Sequence, residues 1–179
     1  GKGKPVIDIE NAGLLVKSHA HTTLNNIFMH VFRNAMDHGI EGIEERESKG
    51  KPASGKISVN VTPAVDGANL AIRDDGRGIA ISRIYKMAVE KGIYEASAPK
   101  PSAAEIANLI FSSGFSTADA VTDVSGRGVG MDAVKGFLEK EGGSIEVVLD
   151  DGSEDDDFRS FTTNIKIPES FYQEAIDFN

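Results

Sequence analysis

From Thr22 onward, apolar residues recur at helical spacing. Leu24, Ile27, Phe28, Val31 and Ala35 fall three and four apart and predict a helix with one buried face. Gly39 ends or bends that helix. The charged run 41–51 predicts an exposed helical extension or loop. The period then changes to two: Ile57, Val59 and Val61 alternate within 56–62, and Leu70 and Ile72 within 69–73, predicting two strands. Asp66-Gly67 between them suits a hairpin turn in a loop longer than two residues. Helical spacing returns over 81–91, with Ile84, Met87 and Ala88 inward. Residues 96–102 form a connector, and Ser102 with Glu105 makes a capping box that opens a helix through Ile106, Leu109 and Ile110. Residues 112–125 are rich in Gly, Ser, Thr and Asp and read as a mobile loop. A glycine-led helix follows, with Met131, Val134 and Leu138 on one face, and stops at Gly142-Gly143. Two more strands occupy 144–149 and 161–167, Pro168 ends the second, and 170–178 suit a short terminal helix.

The order of helix, two strands, three helices and two strands predicts an α/β fold: one sheet with helices packed on a single face. Residues 22–168 make its domain, after a lead segment 1–21 with a short apolar stretch (Val6, Ile7, Ile9) and before a tail or short helix over 169–179. Gly1-Lys2-Gly3-Lys4 reads as an appended remnant or a cut end.

Composition narrows the function. A chain of 179 residues, 40% hydrophobic and 26% charged, suits one soluble globular domain with a substantial core. No apolar run is long enough to span a bilayer, so no membrane contact is expected of this domain. The absence of cysteine excludes disulfides and thiolate metal sites, and fits a cytoplasmic location. A net charge of −9 argues against nucleic acid as the partner. Much of that excess lies in the run 150–157, which reads as a solvated loop. An acidic protein that binds a polyanion must do so with local amides and a metal ion.

One such local site is Ser125-Gly126-Arg127-Gly128-Val129-Gly130-Met131-Asp132. Its alternate glycines lead into a helix, so main-chain N–H groups and the helix dipole can meet a phosphate; a plain tight turn is the bland alternative. No Lys-Ser or Lys-Thr follows, which excludes a Walker loop, and Met131 replaces the third glycine of a dinucleotide fingerprint. On the first helix, His30, Asn34 and Asp37 lie within about 60° of one another, away from the apolar face. That stripe is either a solvated face or a row of ligands, with Asn as an oxygen donor and His as a metal ligand or proton acceptor. Asp74 and Asp75 close a strand beside Gly76-Arg77-Gly78. They read as a turn or as carboxylates that bind Mg²⁺, act as acid and base, or accept a hydrogen bond from an exocyclic amine.

Taken together, the motifs resemble the boxes of histidine kinases. His30-Val-Phe-Arg-Asn34-Ala-Met-Asp37-His38-Gly39 is similar to the N box of the chemotaxis (CheA) type, in which His replaces the more usual Glu. Asp74-Asp75-Gly76-Arg77-Gly78-Ile79 resembles the first glycine box. Residues 109–118, from Leu109 through Ser116 and Thr117, resemble the F box, and 125–132 the second glycine box. All four occur in family order across 24–167. The resemblance implies the Bergerat (GHKL) ATPase sandwich, with a mixed, mostly antiparallel sheet backed by helices. It implies that Asp74 accepts the adenine amino group, that Gly76, Gly78 and Ile79 shape its pocket, and that Asp37 and His38 line the nucleotide. Asn34 would hold Mg²⁺ with His30 as ligand or proton acceptor, and Ser116 and Thr117 would lie in a lid. Gly126, Gly128 and Gly130, with Arg127, Val129 and Met131, would cradle the triphosphate. Such positioning and charge neutralisation suit phosphoryl transfer.

The implied function is transfer of the ATP γ-phosphoryl group to a histidine on a separate domain, in cis or in trans, with a response regulator downstream. No phosphoacceptor-histidine domain or regulatory β-domain of that family is recognised in this sequence, and His19 and His21 read as surface residues. A nucleotide-dependent binding module without transfer is the alternative. Ala80 stands where the family commonly has Asp. Arg83 and Lys86 do not match the spacing of its phosphate-contacting lysines. The acidic insertion before Asp157-Phe158-Arg159-Ser160 is expected to alter the far edge of the sheet and not the pocket.

Overall fold

The alternation in the strands builds one five-stranded sheet. Its order is β1 (Val6–Glu10), β3 (Lys56–Ala64), β4 (Gly67–Asp74), β8 (Phe161–Pro168), β6 (Ser144–Leu149). The computed structural model describes residues 1–10, 13–113, 115, 131–153 and 156–174. β1 runs parallel to β3 and every other pairing in this sheet is antiparallel, so the sheet is mixed and mostly antiparallel. Ile57 and Val59, Leu70 and Ile72, Ile165 and Ile167, and Ile145 and Val147 are buried on one face. Their neighbours Ser58, Asn60, Asn69, Arg73, Asn164 and Glu146 are not. One face of the sheet is therefore core and the other meets water.

Helices cover the apolar face: α1 (His21–Asn34), α3 (Ile81–Glu90), α4 (Ala103–Asn108) and α5 (Met131–Lys140). α1 has no side-chain cap at its start, so its stability rests on the face that buries Leu24, Ile27 and Val31. Burying each such side chain contributes about 1.5–3 kcal/mol. α4 begins with the expected capping box, Ser102 and Glu105 each satisfying the other's backbone. Asn108, the last residue of α4, donates to Val147 C=O and accepts from Val147 N–H at 2.9 and 2.8 Å, closing the outer edge of β6 as a short strand would. α5 ends at Gly142 (φ +86), where Gly143 N–H returns to Leu138 C=O at 2.7 Å. No helix among the described residues is long and apolar enough to cross a membrane.

Four expectations are corrected. The β3–β4 hairpin has a two-residue loop, Val65-Asp66, because pairing runs out to Ala64↔Gly67. The run 41–51 is not simply exposed: α2 (Ile43–Ser48) lies within it, and Glu41 and Arg46 are fully buried as ion-pair partners. Residues 172–174 form β9, which pairs with β2 (Leu14–Val16), instead of opening a terminal helix. The Leu14–Val16 backbone offers them a ladder, and Phe171 packs edge-on against His19 at 5.9 Å. Finally, the end of the acidic insertion lies near the first glycine box. β7 (Phe158–Arg159) pairs with β5 (Ile79–Ala80), and buried Arg159 anchors the loop by donating to the Ser153 and Asp150 carbonyls.

Candidate functional site

Two predicted boxes meet at the C-terminal end of α1. Beyond Asn34 the helix widens into a single π turn (Ala35–Gly39), which Ile40 N–H closes onto Ala35 C=O at 2.7 Å. One extra residue in that turn delivers Gly39 directly against the end of β4. A Cβ on Gly39 would stand 2.9 Å from Asp74 Oδ1, and one on Gly76 would stand 2.3 Å from the Gly39 carbonyl carbon and oxygen. At Gly76 the clash is with backbone, so only glycine permits this approach, whereas at Gly39 a Cβ would push against the Asp74 carboxylate. Arg77 N–H donates to Gly39 C=O at 2.9 Å and fastens the two turns together. Gly78 has φ +87, and a Cβ there would lie 2.3 Å from Arg159 C=O, so the glycine turn is pressed against β7 on its other side.

Asp74 and Asp75 do not form a carboxylate pair. Asp74 is in register with Ile57 and so lies on the core side of the sheet. Asp75 turns the other way, with Oδ2 on Arg46 and Oδ1 accepting Lys56 N–H, both at 2.8 Å. Asp74 is half-buried, and its Oδ1 accepts Gly76 N–H at 2.9 Å. Its other oxygen has no hydrogen-bond partner among the described residues. Burial pushes its carboxyl above the ordinary carboxylate value, and the nearby charges of Asp75 and Glu41 add to that, against Gly76 N–H and Lys51. Asp74 is thus a desolvated acceptor with capacity to spare, which suits recognition of an N–H donor and not metal binding.

His30 is half-buried on α1, whereas Asn34, Asp37 and His38 are exposed along the same helix and its π turn. Ile79 is buried, behind the glycine turn. Met131 is the first residue of α5, which packs beside α1, so the second glycine box leads into an element next to the N box. Ser116, Thr117, Gly126, Arg127, Gly128, Val129 and Gly130 lie outside the described residues, as does most of the 112–125 loop. Among the described residues no three His, Asp or Glu side chains converge as a metal site. Asn34 fits a cation that draws most of its ligands from phosphate and water, the habit of Mg²⁺. Sequence reasoning missed Glu41, Arg46 and Lys51, whose polar character reads as surface until Asp75 is seen to need partners.

The family model for histidine kinase-, DNA gyrase B- and HSP90-like ATPases matches residues 21–170. The gliding motility regulatory protein of Myxococcus xanthus is 38% identical over 94% of this chain and 21% of its own length. The chemotaxis protein CheA of Bacillus subtilis is 43% identical over 69% of this chain and 19% of its own. The sensor histidine kinase CheAY of Helicobacter pylori is 45% identical over 66% and 15%. The chain thus spans about a fifth or less of the length of these relatives. Among solved structures, the mycobacterial sensor histidine kinase MprB aligns with a TM-score of 0.51 at 19% identity, covering 92% of this chain and 80% of that one. The catalytic domain of histidine kinase ThkA aligns at 0.50 and 17% identity, covering 93% and 78%. These likenesses bear out the α/β sandwich and the resemblance to the ATPase domain of histidine kinases.

Proposed function

The chain belongs to the family of histidine kinase-, DNA gyrase B- and HSP90-like ATPases, in its chemotaxis-kinase branch, and on that premise we propose that it binds ATP with Mg²⁺ and delivers the γ-phosphoryl group to a histidine on a separate domain. The observation that carries this reading is Asp74. A half-buried carboxylate with one oxygen held by Gly76 N–H and the other without a described partner is suited to the exocyclic amine of adenine. Gly76, Gly78 and Ile79 shape the base pocket, and Asp37 and His38 line the nucleotide. The family resemblance assigns the phosphates to Gly126 to Met131 and a lid role to Ser116 and Thr117, all but Met131 outside the described residues. Asn34 would hold Mg²⁺, which would supply charge neutralisation on the phosphate oxygens.

In the transfer, a ring nitrogen of the acceptor histidine forms the bond to γ-phosphorus as the bond to the bridging oxygen breaks, and ADP leaves. His30, one helical turn before Asn34, serves as proton acceptor or ligand at that centre. The domain takes in 22–168 together with β1 and β2 of the lead segment and β9, which pair into its sheets, and it acts in the cytoplasm, with the acceptor domain in cis or in trans and a response regulator downstream. The test is incubation with labelled ATP and candidate acceptor domains. Acid-labile label on an acceptor histidine, absent with Asn34→Ala, supports the kinase. Tight nucleotide binding with no label on any acceptor would leave a nucleotide-dependent binding module instead.

A further inference from the structure

Two fully buried, oppositely charged side chains lie behind the glycine turn, outside the nucleotide pocket. Arg46 donates to Glu41 at 3.1 Å and to Asp75 Oδ2 at 2.8 Å, and neither Arg46 nor Glu41 has exposed surface. Its remaining donors reach the carbonyls of Pro52 at 2.7 Å and Ser54 at 3.4 Å. Lys51 donates to Glu41 at 2.9 Å, to Asp75 C=O at 2.9 Å and to Gly76 C=O at 3.0 Å. Arg46 also reaches Asp75 C=O at 3.4 Å.

One peptide unit links this cluster to the pocket. The Asp75–Gly76 peptide presents its C=O to Lys51 and Arg46, and its N–H to Asp74 Oδ1 at 2.9 Å. In a trans peptide those two groups point in opposite directions, so cations on one side fix where the N–H aims on the other. They also polarise it toward the carboxylate. Burying ions is costly, and apolar replacements of buried ion pairs are often as stable. Stability alone therefore does not call for two buried charges and a lysine here. A directed set of bonds holding one turn does.

We infer that Lys51 and Arg46 are positioning residues for the nucleotide base: through the Asp75–Gly76 peptide they aim the Asp74 carboxylate, and base affinity and preference depend on them. This rests on the reading of Asp74 as the adenine acceptor. Lys51 reaches the turn from the wall of an open cleft of about 360 Å³, so its ammonium can be removed without emptying the core.

The experiment compares the 179-residue chain with Lys51→Met, Lys51→Arg and Glu41→Gln. Each is titrated calorimetrically with non-hydrolysable ATP and GTP analogues, with urea unfolding in parallel. Lys51→Met is expected to weaken the ATP analogue about ten-fold and the GTP analogue less, narrowing the preference, and Lys51→Arg to recover part of it. Glu41→Gln, which leaves Lys51 on the peptide carbonyls, should lose stability and keep the preference. Parent-like binding of both nucleotides by folded Lys51→Met would overturn the inference, as would an equal shift in Glu41→Gln. A second readout needs no nucleotide. In carboxyl NMR titration, losing the Lys51 charge should push the Asp74 carboxyl further up, and an unmoved titration would also overturn the positioning role. A parent chain that binds neither analogue would overturn the adenine reading itself, while the NMR titration still decides whether Lys51 governs Asp74.

Discussion

Replacing Gly76 with Ala places a methyl group where the structure has no space. The new Cβ would stand 2.3 Å from the carbonyl carbon and oxygen of Gly39 and 2.6 Å from Asp74 Oδ1. Non-bonded carbons settle at about 3.5–4.0 Å, so the two turns must part by more than about 1 Å. The two nearest neighbours are backbone atoms of Gly39 and cannot swing aside; only Asp74 Oδ1 is a side-chain end. The Arg77 N–H to Gly39 C=O bond, 2.9 Å long, lies across the same contact and would be stretched out of range. Overpacking costs about 1–3 kcal/mol and the lost bond about 1 kcal/mol, so Gly76→Ala should destabilise by about 2–4 kcal/mol. It should also abolish nucleotide binding, because the same movement displaces Asp74. Gly136 is the control: it lies inside α5, and a Cβ there meets nothing within 4 Å. Gly136→Ala should stabilise by about 0.5–1 kcal/mol through helix propensity. Urea unfolding of both variants, followed by nucleotide titration of the folded protein, checks the pair. A Gly76→Ala protein with parent-like stability and binding would refute the close approach of the two boxes.

Three further outcomes follow from the same geometry. Asn108→Ala strips both hydrogen bonds from Val147 and should cost about 1–3 kcal/mol in urea unfolding, with hydrogen exchange at the Val147 amide accelerated. Burial alone would raise the Glu41 carboxyl, but the hydrogen bond and charge of Lys51, with Lys49, hold it at about 2 instead of 4.5. A carboxyl depressed on folding stabilises above its unfolded value. This contribution, on the order of 2 kcal/mol, is complete above pH 4.5 and lost as pH falls toward 2, and Glu41→Gln should flatten that limb of the stability curve. Asp74 is shifted the other way by burial, so its charge is a folding cost at neutral pH. Asp74→Asn should raise the thermal midpoint of the ligand-free chain, and a lowered midpoint would count against desolvation as the cause.

Much of this fold is legible because its strands and helices obey two clear periods. Ile57 and Val59 alternate, and Leu24, Ile27 and Val31 recur at helical spacing, so the core face of each element follows directly. The capping box at Ser102 and Glu105 reads just as plainly, because it is local. What the sequence hides is long-range. Nothing near Glu41 or Arg46 signals that Asp75, some thirty residues later, will draw them into the interior. β9 is equally hidden, since Tyr172–Glu174 become a strand only because Leu14–Val16 offer a ladder. The pairing of Phe158–Arg159 with Ile79–Ala80 moved the acidic insertion from the far edge to the glycine turn for the same reason. For the candidate site, the residue types of the boxes name the members, but the π turn that presses Gly39 onto Asp74 is visible only in three dimensions.

The most direct test of the account is calorimetric titration of a non-hydrolysable ATP analogue, with and without Mg²⁺, into this chain and into Asp74→Asn. Binding to the parent should strengthen with Mg²⁺ and collapse in the variant, while both remain folded. A folded parent that fails to bind, or an Asp74→Asn chain that binds as well as the parent, would contradict it.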